Sequence, residues 1–261
     1  MNKIQKSSLE RGMTNVSRRT LLAQLLALGV SRPAWGLGEN SMLDVAELLI
    51  DGVSIARPRA WERALLELSS STSIEVNPKT IQIAPEDERV YEHPFSVLIL
   101  EKPLPKISST AVSILRRYLS YGGFLLIDDT SANPGGPIYK SVQVLCSRLF
   151  PTRPLSPLRS DHSLYRSFFL LERPMGRVAV CDYNEGVDIG EISPLLYCPN
   201  DLSGALDRGE DGRDRNVVIP DGEYQRTEAI KLAINIFMYS LTSNYKHDQA
   251  HVAKLLEEGR L

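Results

Sequence analysis

Two apolar runs flanking a single amphipathic helix constrain this chain more than any other feature. Phe95 to Leu100 and Phe124 to Ile127 are each apolar almost throughout, as in strands covered on both faces. Between them Ser108 or Ser109 can cap a helix whose Val112, Leu115 and Leu119 share one face, and Gly122-Gly123 stops it. Strand, crossover helix and strand in that order give a parallel pair, and the same alternation runs through the chain. Leu43 to Ile50 reads as a strand, and Trp61, Leu65 and Leu68 mark a helix. Ile74 to Val76 and Thr80 to Ala84 are short strands or extended links. Ile138 to Phe150 is helical, Arg177 to Asp182 and Ile192 to Tyr197 are strands, and a buried helix covers about Arg226 to Ser243. The expectation is one α/β domain with a mostly parallel sheet and helices on both faces.

The amino-terminal residues belong to a separate argument. Lys3, Lys6 and Arg11 precede Ser17-Arg18-Arg19-Thr20-Leu21-Leu22, the apolar run Leu21 to Val30, and the small-residue stretch Ala34-Trp35-Gly36. Basic, apolar and small regions in that order form a bacterial export signal, and the paired arginines point to the twin-arginine route. The run is about 10 residues long, and a membrane span needs about 20. The expected division is therefore a signal peptide over 1–36 and a single domain over 37–261, with no membrane span in the mature chain. That part would be periplasmic or extracellular.

Composition closes off other classes. The whole chain of 261 residues is 43% hydrophobic and 24% charged, with net charge −2. Removing residues 1–36 takes away six basic and one acidic residue and leaves −7, so nucleic acid is not an expected partner. Cys146, Cys181 and Cys198 form no CxxC pair. Cys146 and Cys181 read as small core residues, and pairing of Cys181 with Cys198 stays open. No GxSxG, GxxxxGK[ST] or strand-linked GxGxxG occurs, and no cofactor is implied. His247 and His251 enclose an HDQAH sequence resembling HExxH, with a shorter acid that would stand back from a metal-bound water. It reads as a surface helix end.

Ligands of open parallel sheets bind beyond the carboxyl ends of the strands. Three polar clusters are candidates there: Asp128 and Asp129, Asp161 and His162, and Asn200 and Asp201. Adjacent carboxylates can hold a hard cation or a hydroxylated ligand, or they can cap the following loop. A histidine beside an aspartate can move protons. Ser203 to Asn216, polar and with three glycines, reads as a mobile loop able to act as a lid.

Several stretches together resemble a bacterial family, domain-of-unknown-function family 4159. They are Leu115 to Leu119 with Gly122 to Asp129, Arg148 to Pro151 with Pro154-Leu155, Asp161 to Tyr165, Asn200 to Leu202, and Asn235-Ile236 with Tyr239 to Thr242 and Tyr245 to His251. The resemblance covers roughly 43–258. It implies a flavodoxin-like sheet related to class I glutamine amidotransferases and no known activity. Members often occur near AAA+ ATPases and von Willebrand A-type proteins of the cell envelope, which implies an envelope protein partner. Amidotransferases of this fold use a cysteine in a Gly-flanked elbow, and none of the three cysteines here has a neighbouring glycine. Two functions follow. One is a non-catalytic module binding a small ligand or a protein through Asp128, Asp129, Asp161, His162, Asn200 and Asp201. The other is a hydrolase using the same groups, with a divalent cation on the carboxylates and His162 moving the proton.

Overall fold

The computed structural model describes the backbone of residues 42–257 and the side chains of residues 42–243. The export signal expected over 1–36 and the side chains of His247 to His251 lie outside the described residues. The described part is one compact unit.

A seven-stranded sheet organises the chain. In sequence the strands are β1 (Val45–Leu48), β2 (Ile81–Ile83), β3 (Phe95–Leu100), β4 (Phe124–Asp129), β5 (Ser156–Pro157), β6 (Glu185–Ile189) and β7 (Ile192–Cys198). In space they run β2-β1-β3-β4-β7-β6-β5. The first five in that order are mutually parallel, while β6 runs antiparallel to β7 and β5, at the margin, antiparallel to β6. The helices are α1 (Pro58–Ser71), α2 (Ser109–Ser120), α3 (Pro137–Leu149), α4 (Leu202–Leu206) and α5 (Gly222–Glu257).

Side-chain alternation along the strands divides the core in two. Val45, Phe95, Val97, Ile99, Phe124, Leu126 and Leu196 face α1, α4 and α5, where Trp61 packs between Phe95 and Phe237 with ring centroids 5.5 and 5.8 Å away. Ala46, Leu48, Leu98, Leu100, Leu125, Ile127 and Tyr197 face α2 and α3. The sheet is covered on both faces, which is why β3 and β4 are apolar almost throughout. Ser108 caps α2 by accepting the Ala111 N–H at 3.0 Å. Gly123 lets the Tyr118 ring lie against the backbone where a Cβ would stand, and the Tyr118 hydroxyl donates to Phe124 O at 3.0 Å.

Four expectations need correction. Arg177 to Asp182 is a strap and not a strand, with one isolated bridge from Val178 to Ile219. Its backbone is satisfied by Asn200 and Ile219 in place of a sheet neighbour. The strand beside β7 is β6, whose sequence Glu-Gly-Val-Asp-Ile has no apolar run. The expected lid opens with α4, all five residues of which are buried. Finally, Cys181, expected in the core, is half-buried, whereas Cys146 is buried as expected; Cys198 is buried too, all three are free, and the pairing of Cys181 with Cys198 that the sequence leaves open is not formed.

Candidate functional site

Asp128 and Asp129, the last two residues of β4, point to opposite faces because strand side chains alternate. Asp128 faces α4 and accepts the Leu202 N–H at 2.8 Å and the Ser203 N–H at 2.7 Å. Asp201 precedes α4 with left-handed backbone angles (φ 53°, ψ 63°) and caps it through the Gly204 N–H at 3.0 Å. Two guanidiniums hold the Asp201 carboxylate: Arg57 at 2.8 Å, and Arg177 on its other oxygen. Burial, and then the nearby Asp201 charge, push Asp128 up to about 7, against the pull of its Ser203 hydrogen bonds. These carboxylates, from different strand ends, cap α4 together.

Asp129 faces α3. One oxygen accepts the Ser131 N–H at 2.8 Å and the Ser131 hydroxyl at 2.6 Å, and the other accepts the Tyr197 hydroxyl at 2.6 Å. A second tyrosine–carboxylate pair lies alongside, with Tyr139 donating to Glu185 at 3.0 Å and its ring centroid 5.5 Å from that of Tyr197. Burial raises Tyr139 to about 12 and also lifts Glu185. Sequence reading missed this group because Glu185 enters on β6, the strand it did not find.

Asn200 is a clamp. Its Oδ1 accepts the Val180 and Cys181 N–H groups at 3.1 and 2.9 Å, and its Nδ2 donates to Pro174 O and Cys181 O at 3.1 and 2.8 Å. The strap approaches so closely that a Cβ on Gly176 would collide with the Asn200 carbonyl. Asn200 thereby holds Arg177 where it meets Asp201.

Asp161 and His162 do not join this group. The His162 Nε2 lies 3.4 Å from the Ser193 hydroxyl, near the start of β7, whereas Asp128 pairs in register with Cys198 at its end. Five residues of strand, about 17 Å, separate the two, so the expected convergence at the carboxyl edge is corrected for these two residues. His162 Nδ1 accepts the Leu164 N–H at 3.2 Å, and its ring packs on Tyr239. The Ser193 hydroxyl in turn donates to Asp188 at 2.5 Å. Burial lowers the His162 pKa below 6.5, with Asp188 and Asp161 opposing. Asp161 is exposed and paired with Arg159 at 2.9 Å.

Beside the Asp128–Asp201 pair lies a cleft of about 290 Å³, lined by residues 55–59, Asp207 and Arg215. Behind Arg57, Glu47 of β1 is 1% exposed and accepts the Arg57 N–H through Oε2 at 2.8 Å. Its Oε1 is buried without a well-formed hydrogen bond. Burial raises the Glu47 pKa, Thr80 and the Arg57 N–H oppose this, and Glu62 and Asp207 add to it. A carboxylate inside the apolar run Leu43 to Ile50 was the available sequence signal for this place. Among the described residues, no group of three or more His, Cys, Asp or Glu side chains is placed to hold a metal ion. No described helix is long and apolar enough to cross a membrane.

A mostly parallel sheet with helices on both faces, carrying a fixed network of carboxylates and arginines at the ends of β4 and β7, makes this an α/β protein with a polar carboxyl edge. Residues 45–241, more than half of the chain, match the family model described as Domain of unknown function (DUF4159), and the chain belongs to that family. No curated protein matches the chain. The matched span runs from β1 into α5, so it contains the entire sheet and all six candidate residues.

Proposed function

We propose that this protein is an exported, non-catalytic binding module of the cell envelope, taking a small ligand or a protein at the carboxyl edge of its sheet. The observation that carries this reading is the mutual engagement of the edge charges. Asp128 and Asp201 hold α4, and Arg57 and Arg177 hold Asp201, so these groups build a fixed rim beside an open cleft. Preorganised rims of this kind lower the ordering cost of binding. The parallel strands alone follow the order 2-1-3-4-5, which supports a flavodoxin-like fold related to the glutamine amidotransferases. The Arg18-Arg19 leader and net charge of −7 without it support twin-arginine export to the periplasm or beyond, and the family's neighbours support an envelope partner.

The test is a thermal-unfolding survey of the full chain against neutral and charged small metabolites, repeated with Ala56→Trp, which fills the cleft. A ligand at a hundredfold its dissociation constant adds about 2.7 kcal/mol, equivalent to a few degrees for a chain this long. Stabilising compounds should lose their effect in Ala56→Trp. If none stabilises the wild type, or all act equally on both proteins, the small-ligand reading is wrong.

A further inference from the structure

We propose that the groove between α3 and the segment Leu104 to Ile107 docks an acidic segment of a partner protein, with one aliphatic side chain in the groove and carboxylates on its rim. This goes beyond the reading above, because the groove lies on the face of the sheet covered by α2 and α3, away from the Asp201 rim.

The charges of that face are one-sided. α2 and α3 carry Arg116, Arg117, Lys140 and Arg148 and not one Asp or Glu, in a chain whose acids outnumber its lysines and arginines by 32 to 30. On the other face Asp201 matches Arg57 and Arg177, and Asp214 matches Arg63 and Arg226. Among the described residues, none of the four cations on α2 and α3, nor Lys106 beside them, forms an ion pair. Arg116 is engaged on the last carbonyls of α3, at 2.7 and 2.6 Å, and Arg117 lies over the Tyr91 ring at 5.5 Å. That leaves Lys106, Lys140 and Arg148, and these three surround the groove. A surface of one sign draws in the opposite sign and rejects its own.

The shape of the groove is a second observation. It measures about 350 Å³, and Leu104, Pro105, Ile107, Val144 and Leu145 make it apolar. Lys140, Val144 and Arg148 are spaced by four on α3 and so stand in one row along it, with Lys106 on the other wall. No carboxylate lines it. Asp51 and Glu86 line a neighbouring hollow that shares Pro105 to Ile107, and there Glu86 accepts the Ser108 hydroxyl at 2.8 Å. The two walls are tied together, since the Leu104 N–H donates to Ser141 Oγ at 2.8 Å and Arg148 donates to Ile107 O. Val144 is 60% exposed between the cations, and apolar surface with a polar rim marks a contact site. It is the only large apolar side chain exposed on α2 or α3. One such side chain is too little for insertion into lipid but enough to seat one residue of a peptide.

The experiment follows the fluorescence anisotropy of a labelled peptide, Glu-Glu-Leu-Leu-Glu-Glu, as the full chain is added at low salt. Hexaglutamate tests charge alone, Lys-Lys-Leu-Leu-Lys-Lys tests apolar contact alone, and phosphatidylglycerol vesicles are tested by co-sedimentation. The acidic leucine peptide should bind saturably, more tightly than either comparison peptide, and less tightly as salt rises. Lys106→Glu/Lys140→Glu and Val144→Asp should each weaken it about tenfold with unchanged unfolding midpoints, because all three side chains are exposed. Lys79→Glu/Arg213→Glu removes as much positive charge from exposed positions outside the groove, and should leave binding within about twofold. The proposal is overturned if no peptide binds, if hexaglutamate binds as tightly as the leucine peptide, or if the groove variants bind no worse than the Lys79→Glu/Arg213→Glu control. Vesicle binding without peptide binding would overturn it in favour of a membrane contact. A flat result in the Ala56→Trp survey would leave it standing, since that cleft lies at the start of α1.

Discussion

Asp128 accepts the first two backbone N–H groups of α4, while Asp201, the residue just before that helix, accepts the next one at Gly204. Two carboxylates thus share one helix end, and only one of them, Asp201, has arginines to neutralise it. Asp128→Ala strands two buried donors at about 1–3 kcal/mol each, and should cost about 2–5 kcal/mol in urea unfolding. Asp128→Asn should cost less, since its carbonyl still accepts one of them.

The same residue sets a pH dependence. An aspartate near 4 in the unfolded chain and near 7 in the native one keeps its proton longer when folded. Its stabilising contribution is therefore complete below about pH 4 and is lost as pH rises toward 7, by up to about 4 kcal/mol. The penalty of Asp128→Asn should shrink over that interval. Parallel stability curves for the two proteins would show that native Asp128 titrates like an exposed aspartate.

His162 runs the other way. Its pKa is lowered by burial, so the stability it lends is present above 6.5 and is lost as pH falls through its native value. An NMR titration should place its midpoint below 6.5. Asp188→Asn should move it lower still, because Asp188 is the main charge opposing the shift. An upward move would contradict this account.

Asn200→Ala should free the strap. It removes the acceptor for the Val180 and Cys181 N–H groups and the donor to Pro174 O and Cys181 O. The expected loss is about 2–4 kcal/mol, with faster tryptic cleavage after Arg177. Unchanged cleavage there would mean that Arg177 and its pairing with Asp201 suffice to hold the strap.

Trp61 separates volume from polarity in the core. Trp61→Ala opens a large cavity between Phe95 and Phe237 and should cost about 3–5 kcal/mol. Trp61→Phe should cost about 1–2 kcal/mol, because it also removes a buried indole N–H that has no partner.

The proposed export signal can be tested by itself. With residues 1–36 fused to a folded reporter, Arg18→Lys/Arg19→Lys should abolish export, since the twin-arginine signal is read through that pair. Export at the original rate would point to another route.

What the sequence revealed depended on how local each signal was. The β3–α2–β4 unit was legible because Ser108 caps, Gly123 makes room and both strands are apolar within a few residues of one another. The strap and β6 exchanged places for a nonlocal reason. Val178 to Val180 is apolar, but its hydrogen-bond partners are Asn200 and Ile219, while the plainer Glu185 to Ile189 pairs with β7. At the site, the strand-end rule located Asp128, Asp129, Asn200 and Asp201. It overlooked Glu47, which lies inside a strand, and Arg57, which reads as one charge among many. His162 was misplaced because a residue between elements carries no mark of which end of the sheet its loop reaches.

Both margins of the sheet are abbreviated. On one side it stops at the three residues of β2, and on the other at Ser156–Pro157, where proline has no N–H to offer. A second copy seeking to continue the hydrogen-bond ladder would find almost nothing to copy. Longer margins as apolar as β3 and β4 would otherwise invite edge-to-edge pairing. The short margins therefore let such a sheet exist at high local concentration without recruiting its neighbours.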